Sequence, residues 1–308
     1  MELTRRTFLH GAGAGLALAV TGAARTGWTA TTLNLGSAEL TTLSDGYLVQ
    51  PRNFVLGGMP EAEYMPILRR HGLSPEEFRP ECNVTLFRDG DRVVLFDAGS
   101  GSGFLPTVGT LPEAMDAIGL NPEDVTHVVF THGHADHLWG VLDDFDEPFF
   151  PNAKHMMGRV EFDYWFDPDT VNRIAPTRTN MAVGAKRRLD LLADRITLFD
   201  DGEEILPNVA ARMTPGHTPG HMSFEIRGGS ESVMILGDAV TNHHINFERP
   251  EMGSAVDQDR QMGADTRVLL LDQIAHAQMG VIGFHLPQGG IGRVERLGDA
   301  YRYVPETG

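Results

Sequence analysis

Cysteine is all but missing from this chain: Cys82 is the only one in 308 residues, so no intramolecular disulfide can form. Cys82 stands at the mouth of an apolar strand with no histidine beside it in sequence, and it reads as structural rather than nucleophilic. Basic residues are scarce, 25 Lys and Arg against 42 Asp and Glu, which leaves a formal net charge of −17. Nucleic acid is thereby excluded as a partner, because a phosphate backbone demands clustered cations. The densest basic run, Lys186-Arg187-Arg188, reads as the solvated face of a helix. Long apolar runs are lacking too, so no stable membrane span is expected. There is no short-period repeat and no linker after residue 38.

What is plentiful is turn-forming sequence, with 35 glycines and 18 prolines, as in a loop-rich enzyme. The N-terminal stretch LTRRTFLHGAGAGLALAVTGAA pairs Arg5 and Arg6 ahead of a short Gly/Ala/Leu run ending in small residues near Ala24. It reads as a twin-arginine export signal over residues 1–30, which sends a folded protein to the periplasm or cell exterior. Residues 31–308 are then expected to form a single domain.

Along that domain, residues 38–45 read as a strand ending in an Asp45-Gly46 turn, and residues 47–81 as irregular and proline-punctuated, a lid or a homodimer contact. Asn83–Arg88 and Arg92–Phe96 form a hairpin by rule. A helix is predicted from Pro112 to Gly119, followed by a buried strand over Val125–Thr131. Further strands are predicted near 154–157, 196–199, 209–213, 221–227 and 232–236, helices near 158–166, 180–193 and 257–277, and a last apolar run over 281–284. Interspersed strands and helices with hairpins among them imply helices covering stacked sheets, an α/β protein.

The chemistry gathers at strand ends. THGHADH places His132 and His134 two apart, where strand alternation turns both side chains the same way, with Asp136 and His137 on the following turn. Imidazole and carboxylate together suit zinc or another first-row metal. Three later apolar strands end in the same manner: His217 in MTPGHTPGH, Asp238 in VMILGDAV and His285 in VIGFHLP.

HxHxDH, GHTPGH, GD and a late FH, in this order from roughly Leu40 to Pro305, resemble the metallo-β-lactamase-fold hydrolases. The resemblance implies an αββα sandwich with two divalent ions at one edge. One ion would be held by His132, His134 and His217, the other by Asp136, His137 and His285, with Asp238 bridging. Zinc is the default, and manganese, cobalt or iron suit the same donors. Asp97 in LFDAG matches the family's carboxylate that orients the site from behind, and His221 is assigned a supporting place. Asp238 itself argues against β-lactam hydrolysis, since the true β-lactamases generally lack it.

Such an ion pair implies an activated hydroxide shared between the metals, with Asp136 orienting it or moving its proton. GFHLPQGGIGRVERLGDAYRYVP, LSDG and GRVEFDYW are similar to methyl parathion hydrolase and its lactonase and aryl esterase relatives. The implied substrate is a small uncharged ester or lactone, with a phosphotriester as the alternative. Phe104, Phe162, Tyr164, Trp165 and Met181 are candidates to line an apolar cleft, and each also fits a core position. His243 and His244 are read either as polar contacts to the metals or as loop residues. No tyrosine in residues 178–200 is placed to assist a carbonyl oxygen, and Tyr164 is the only stand-in.

Overall fold

The computed structural model describes residues 31–306; residues 1–30, read from sequence as an export signal, lie outside the described residues. Two seven-stranded sheets form the centre. The first runs in spatial order Thr32–Leu35, Ala38–Tyr47, Glu81–Asp89, Arg92–Phe96, His127–Phe130, Lys154–Gly158 and Ile196–Phe199. Its early strands pair antiparallel and the last three join in parallel. The second sheet orders Glu204–Leu206, Val209–Met213, Met222–Gly228, Glu231–Ile235, Gly280–Ile282, Ile291–Leu297 and Ala300–Pro305, with one parallel pairing, between Glu231–Ile235 and Gly280–Ile282.

Strand alternation builds the layers. Val94, Phe96, Val129 and Met156 point between the sheets, where they meet Phe224, Ile226, Val233 and Ile282. Their neighbours Leu95, Val128, Phe130 and Met157 point the other way, against Leu111, Met115, Ala185 and Leu189 of two covering helices. On the far side, Met234 and Val281 pack on Leu270, Leu271 and Ile274 of the helix Arg260–Ala277. The result is the αββα sandwich that the resemblance implied. Each large apolar side chain fully buried in these layers contributes roughly 1.5–3 kcal/mol of transfer free energy.

That last helix shows its limits in sequence. Asp259 caps its start by accepting a hydrogen bond from the Met262 amide, and Gln278 ends it in the left-handed conformation at φ 52°.

Three expectations are corrected. Residues 47–81 are not irregular: they hold the helices Arg52–Leu56 and Glu61–Arg70, whose Tyr64, Ile67 and Leu68 are buried against Phe78, Ile245 and Val256. Pro66 sits inside the second helix, where it costs an amide donor, and Glu61, Glu63, Arg69 and Arg70 offset that by matching the helix dipole. Asp45-Gly46 is not a chain reversal; the strand continues to Tyr47, and buried Asp45 accepts hydrogen bonds from the Ser100 and Leu111 amides. Finally, the apolar run over 281–284 is a strand only over Gly280–Ile282, and beyond it Ile291–Leu297 and Ala300–Pro305 form a closing hairpin through Gly298 at φ 65°. No helix among the described residues is long and apolar enough to cross a membrane.

Candidate metal centre

The parallel strands point their C-terminal ends to one edge, the place where open α/β sheets put chemistry. His127–Phe130 runs straight into Thr131, His132 and His134; Glu231–Ile235 leads to Asp238, and Gly280–Ile282 to His285. His217 arrives on the loop between Val209–Met213 and Met222–Gly228. Residues separated by up to about half the chain therefore meet.

Their donor atoms fall into overlapping groups, each within a span of 4.8 Å: His132, His134, His217 and Asp238 in one, His137, Asp238 and His285 in another. Asp238 belongs to both. Its Oδ2 lies 3.1 Å from His217 Nε2, 3.4 Å from His285 Nε2 and 3.9 Å from His132 Nε2, while Oδ1 lies 3.3 Å from His137 Nε2. Asp136 Oδ2 is 3.2 Å from His285 Nε2 and 3.6 Å from His137 Nε2. A third group joins Cys82 to Asp136 and His285, so a histidine does approach the thiol in space. Burial nevertheless pushes that thiol up to about 12, which fits its reading as structural.

Hydrogen bonds behind the imidazoles fix which nitrogen faces inward. His137 Nδ1 donates to Asp97 Oδ2 at 2.7 Å, and His285 Nδ1 donates to the Glu81 carbonyl at 2.8 Å. His217 Nδ1 faces Asp257 Oδ1 at 3.3 Å. The Thr131 hydroxyl donates to Asp97 and so accepts from His132 Nδ1 at 3.0 Å. In each ring Nε2 is left bare toward the centre. His134 differs, presenting Nδ1, which lies 3.0 Å from His132 Nε2 and 2.9 Å from His217 Nε2.

Three ring nitrogens at such spacing cannot all be paired by protons, because lone pairs are left facing one another. His137 Nε2 and Asp238 Oδ1 are buried with no hydrogen-bond partner at all. Burial opposes charge on His137, yet the Asp238, Asp136 and Asp97 carboxylates outweigh it and raise the ring to about 10. Burial and the neighbouring imidazoles hold His132 and His134 well below the ordinary histidine range. The carboxylates thus call for positive charge at the centre, while His132 and His134 resist taking it as protons. A pair of divalent cations satisfies both demands, so the donor set fits two ions.

His221 is not among the inward donors. Its Nε2 accepts the Asp238 amide at 2.9 Å while Nδ1 meets the Thr214 hydroxyl at 2.8 Å, and burial drives its pKa down to about 3. It positions Asp238.

Over the centre lies a cavity of about 250 Å³, floored by His134, Asp136, His217, Asp238 and His285 and walled by Leu48, Val49, Phe54, Phe104, Leu105, Met181 and Val256. Of the aromatic and methionine candidates read from the sequence, Phe104 and Met181 are brought to this cavity. Phe162, Tyr164 and Trp165 are not. Phe162 stacks on Phe166, the Tyr164 hydroxyl donates to Gln258 Oε1 at 2.7 Å, and Trp165 is fully buried behind His134. Their helix, Arg159–Phe166, covers the sheet from behind, so its aromatic side chains serve the core. His243 and His244 line a neighbouring cavity that also reaches His285; His244 lies against Phe78 with the rings tilted and accepts the Ile245 amide.

Sequence reading missed several supporting residues. Asp257 holds His217 and is itself held by fully buried Arg267 at 2.8 Å. Arg178 lines the cavity, fixed by the Ala255 and Val256 carbonyls. Neither stands in a motif, and nothing in one dimension brings Asp257 next to residue 217.

The profile of the metallo-beta-lactamase superfamily matches residues 79–272. The N-acyl homoserine lactonase AttM of Azorhizobium caulinodans is 36% identical over 121 residues, 39% of this chain and 43% of that protein. AttM of Agrobacterium fabrum is 31% identical over 127 residues, 40% of this chain and 44% of that protein. The chain therefore matches less than half the length of these curated relatives. Among solved structures, the hydrolase AbOPH of the beta lactamase superfamily superposes with a TM-score of 0.84 at 26% identity, covering 90% of this chain and 97% of that one. AidC, a dizinc quorum-quenching lactonase in complex with a product, gives the same TM-score of 0.84 and the same coverage of 90% and 97% at 24% identity, a likeness in fold.

Proposed function

The chain belongs to the metallo-β-lactamase superfamily, and from that premise we propose that it is a two-metal hydrolase that opens lactones, with aryl and other carboxylic esters cleaved in the same cavity. The observation that carries this reading is Asp238, shared by two buried donor groups on the floor of an apolar cavity. A structural metal site is usually closed around one ion by four ligands and leaves no open face.

His132, His134 and His217 would hold one ion, Asp136, His137 and His285 the other, and Asp238 both. Bound there, divalent ions supply Lewis acidity that makes water nucleophilic near neutral pH and stabilises charge on a carbonyl oxygen. The protein's own residues do the rest. The walls of Phe54, Phe104, Leu105 and Met181 exclude water and take an acyl or aryl group. Asp136 reaches both the cavity and His285, and its pKa is lowered because His137 and His285 outweigh burial. It is placed to orient the attacking water and pass its proton to the departing ring oxygen. Water adds to the carbonyl carbon, the C–O bond opens, and a hydroxy acid results. Among the described residues no tyrosine lines the cavity; Arg178 does, and its guanidinium is a cationic donor for a substrate carbonyl.

The deciding measurement is kcat/KM on zinc-loaded protein for an acyl-homoserine lactone beside a methyl-ester organophosphate. A hundredfold preference for the lactone, about 2.7 kcal/mol of differential transition-state binding, is expected. The reverse ratio would make the protein a phosphotriesterase, and a protein that retains no metal would end the reading altogether.

A further inference from the structure

Glu161 stands outside every donor group and lines neither cavity at the metal centre, yet it is fully buried and accepts four hydrogen bonds. The donors are the Gly133 amide at 2.9 Å, the Thr218 hydroxyl at 2.7 Å, the Gly220 amide at 3.0 Å and the Trp165 indole. Gly133 lies between His132 and His134, while Thr218 and Gly220 follow His217. One carboxylate thereby ties together the two loops that carry three inward imidazoles.

The helix Arg159–Phe166 that presents Glu161 also sets how closely those loops approach. A Cβ on Gly133 would stand 2.5 Å from the Trp165 ring, and one on Gly220 would stand 2.2 Å from the Glu161 backbone nitrogen. The Trp165 ring backs His134, with centroids 5.6 Å apart. Tyr164 of the same helix bonds Gln258, the neighbour of the Asp257 that holds His217. Among the described residues, no hydrogen bond from this helix reaches Asp136, His137 or His285. The support is one-sided.

We propose that Glu161 is a positioning residue that sets the spacing of His132 and His134 against His217, and so governs the affinity of one ion of the pair and not the other. This rests on the two-metal reading above. A glutamine at position 161 keeps the shape but turns an NH2 group toward a set of donors, so at least one loop must let go.

The experiment is stepwise zinc competition against a chromophoric chelator on the purified protein, wild type and Glu161→Gln. We expect one of two dissociation constants to rise 10- to 100-fold, as for other residues that orient ligands from behind, and the second to stay within about twofold. In a His285→Ala background Glu161→Gln should still weaken the remaining ion; in a His134→Ala background it should change nothing. Thr218→Val, which removes a single bond to the carboxylate, should give a smaller shift in the same constant and serves if Glu161→Gln does not fold. Equal loss of both ions, or a lower melting temperature of the metal-free protein with both constants unchanged, would mean a merely structural role and overturns the proposal alone. Wild-type protein that binds fewer than two zinc ions overturns the two-metal reading with it.

Discussion

Asp97 shows how much one carboxylate decides. It adopts φ 69°, a left-handed conformation that Asp and Asn tolerate better than most residues, and it accepts the Thr131 amide at 2.7 Å. Its other oxygen takes the His137 Nδ1 proton and so leaves Nε2 bare toward the centre. Asp97→Asn keeps the backbone but puts an amide donor against that proton. His137 must then flip its tautomer and present an N–H where an ion should bind. Zinc affinity at the His137 group should fall about 10- to 100-fold with the fold retained. Unchanged affinity in a chelator competition would refute the orienting role. The LFDAG motif made this residue legible through the resemblance; that His137 is its partner only the structure shows.

Among the elements, the helix Arg52–Leu56 carries the clearest consequence. It places Phe54, 50% exposed, on the wall of the cavity opposite the metal centre. Its ring extends the apolar wall of that cavity, the kind of lining that takes up apolar parts of a ligand. Phe54→Ala should lower kcat/KM for long-chain lactones by about 5- to 30-fold, the equivalent of about 1–2 kcal/mol of lost burial. The loss should grow from butanoyl to dodecanoyl substrates and leave bound zinc unaltered. A loss independent of chain length would place Phe54 outside the acyl path. This helix was not legible, because five residues after a proline show too little periodicity. The helix Glu61–Arg70 has the apolar stripe, but Pro66 masks it.

For the molecule as a whole, a buried histidine away from the metal centre contributes to the response to acid. His155 lies on the strand Lys154–Gly158, buried and stacked 6.3 Å from Phe130, with neither ring nitrogen hydrogen-bonded. Burial, helped by Arg195, lowers its pKa from 6.5 to about 4. Between those values the unfolded chain takes a proton that the folded protein refuses, so the neutral ring's contribution is present above pH 6.5 and is lost as pH falls toward 4. The full window corresponds to about 3 kcal/mol. His155→Leu should flatten urea-unfolding stability against pH by up to about 1.4 kcal/mol per unit in that range, measured as the difference from wild type so that the other histidines cancel. An identical slope would show that His155 is already solvated.

What the sequence determined by itself was local. Apolar-rich runs placed Arg92–Phe96 and strands near 196–199 and 209–213, where the structure has them, and polar residues crowded at strand ends marked the candidate donors. These signals survive in one dimension because a strand's period and the turn after it depend only on near neighbours. The tertiary structure alone decided the rest. Tyr164 and Trp165 fit either the cleft or the core by sequence, and packing settles them against the core while Phe54 and Leu105 take places on the cavity wall. Asp257 reaches His217 across forty residues, and Glu161 reaches Gly220 across fifty-nine. Such partners are chosen by how sheets and helices stack, and neither distance nor direction between stacked layers is written in the spacing of residues along the chain.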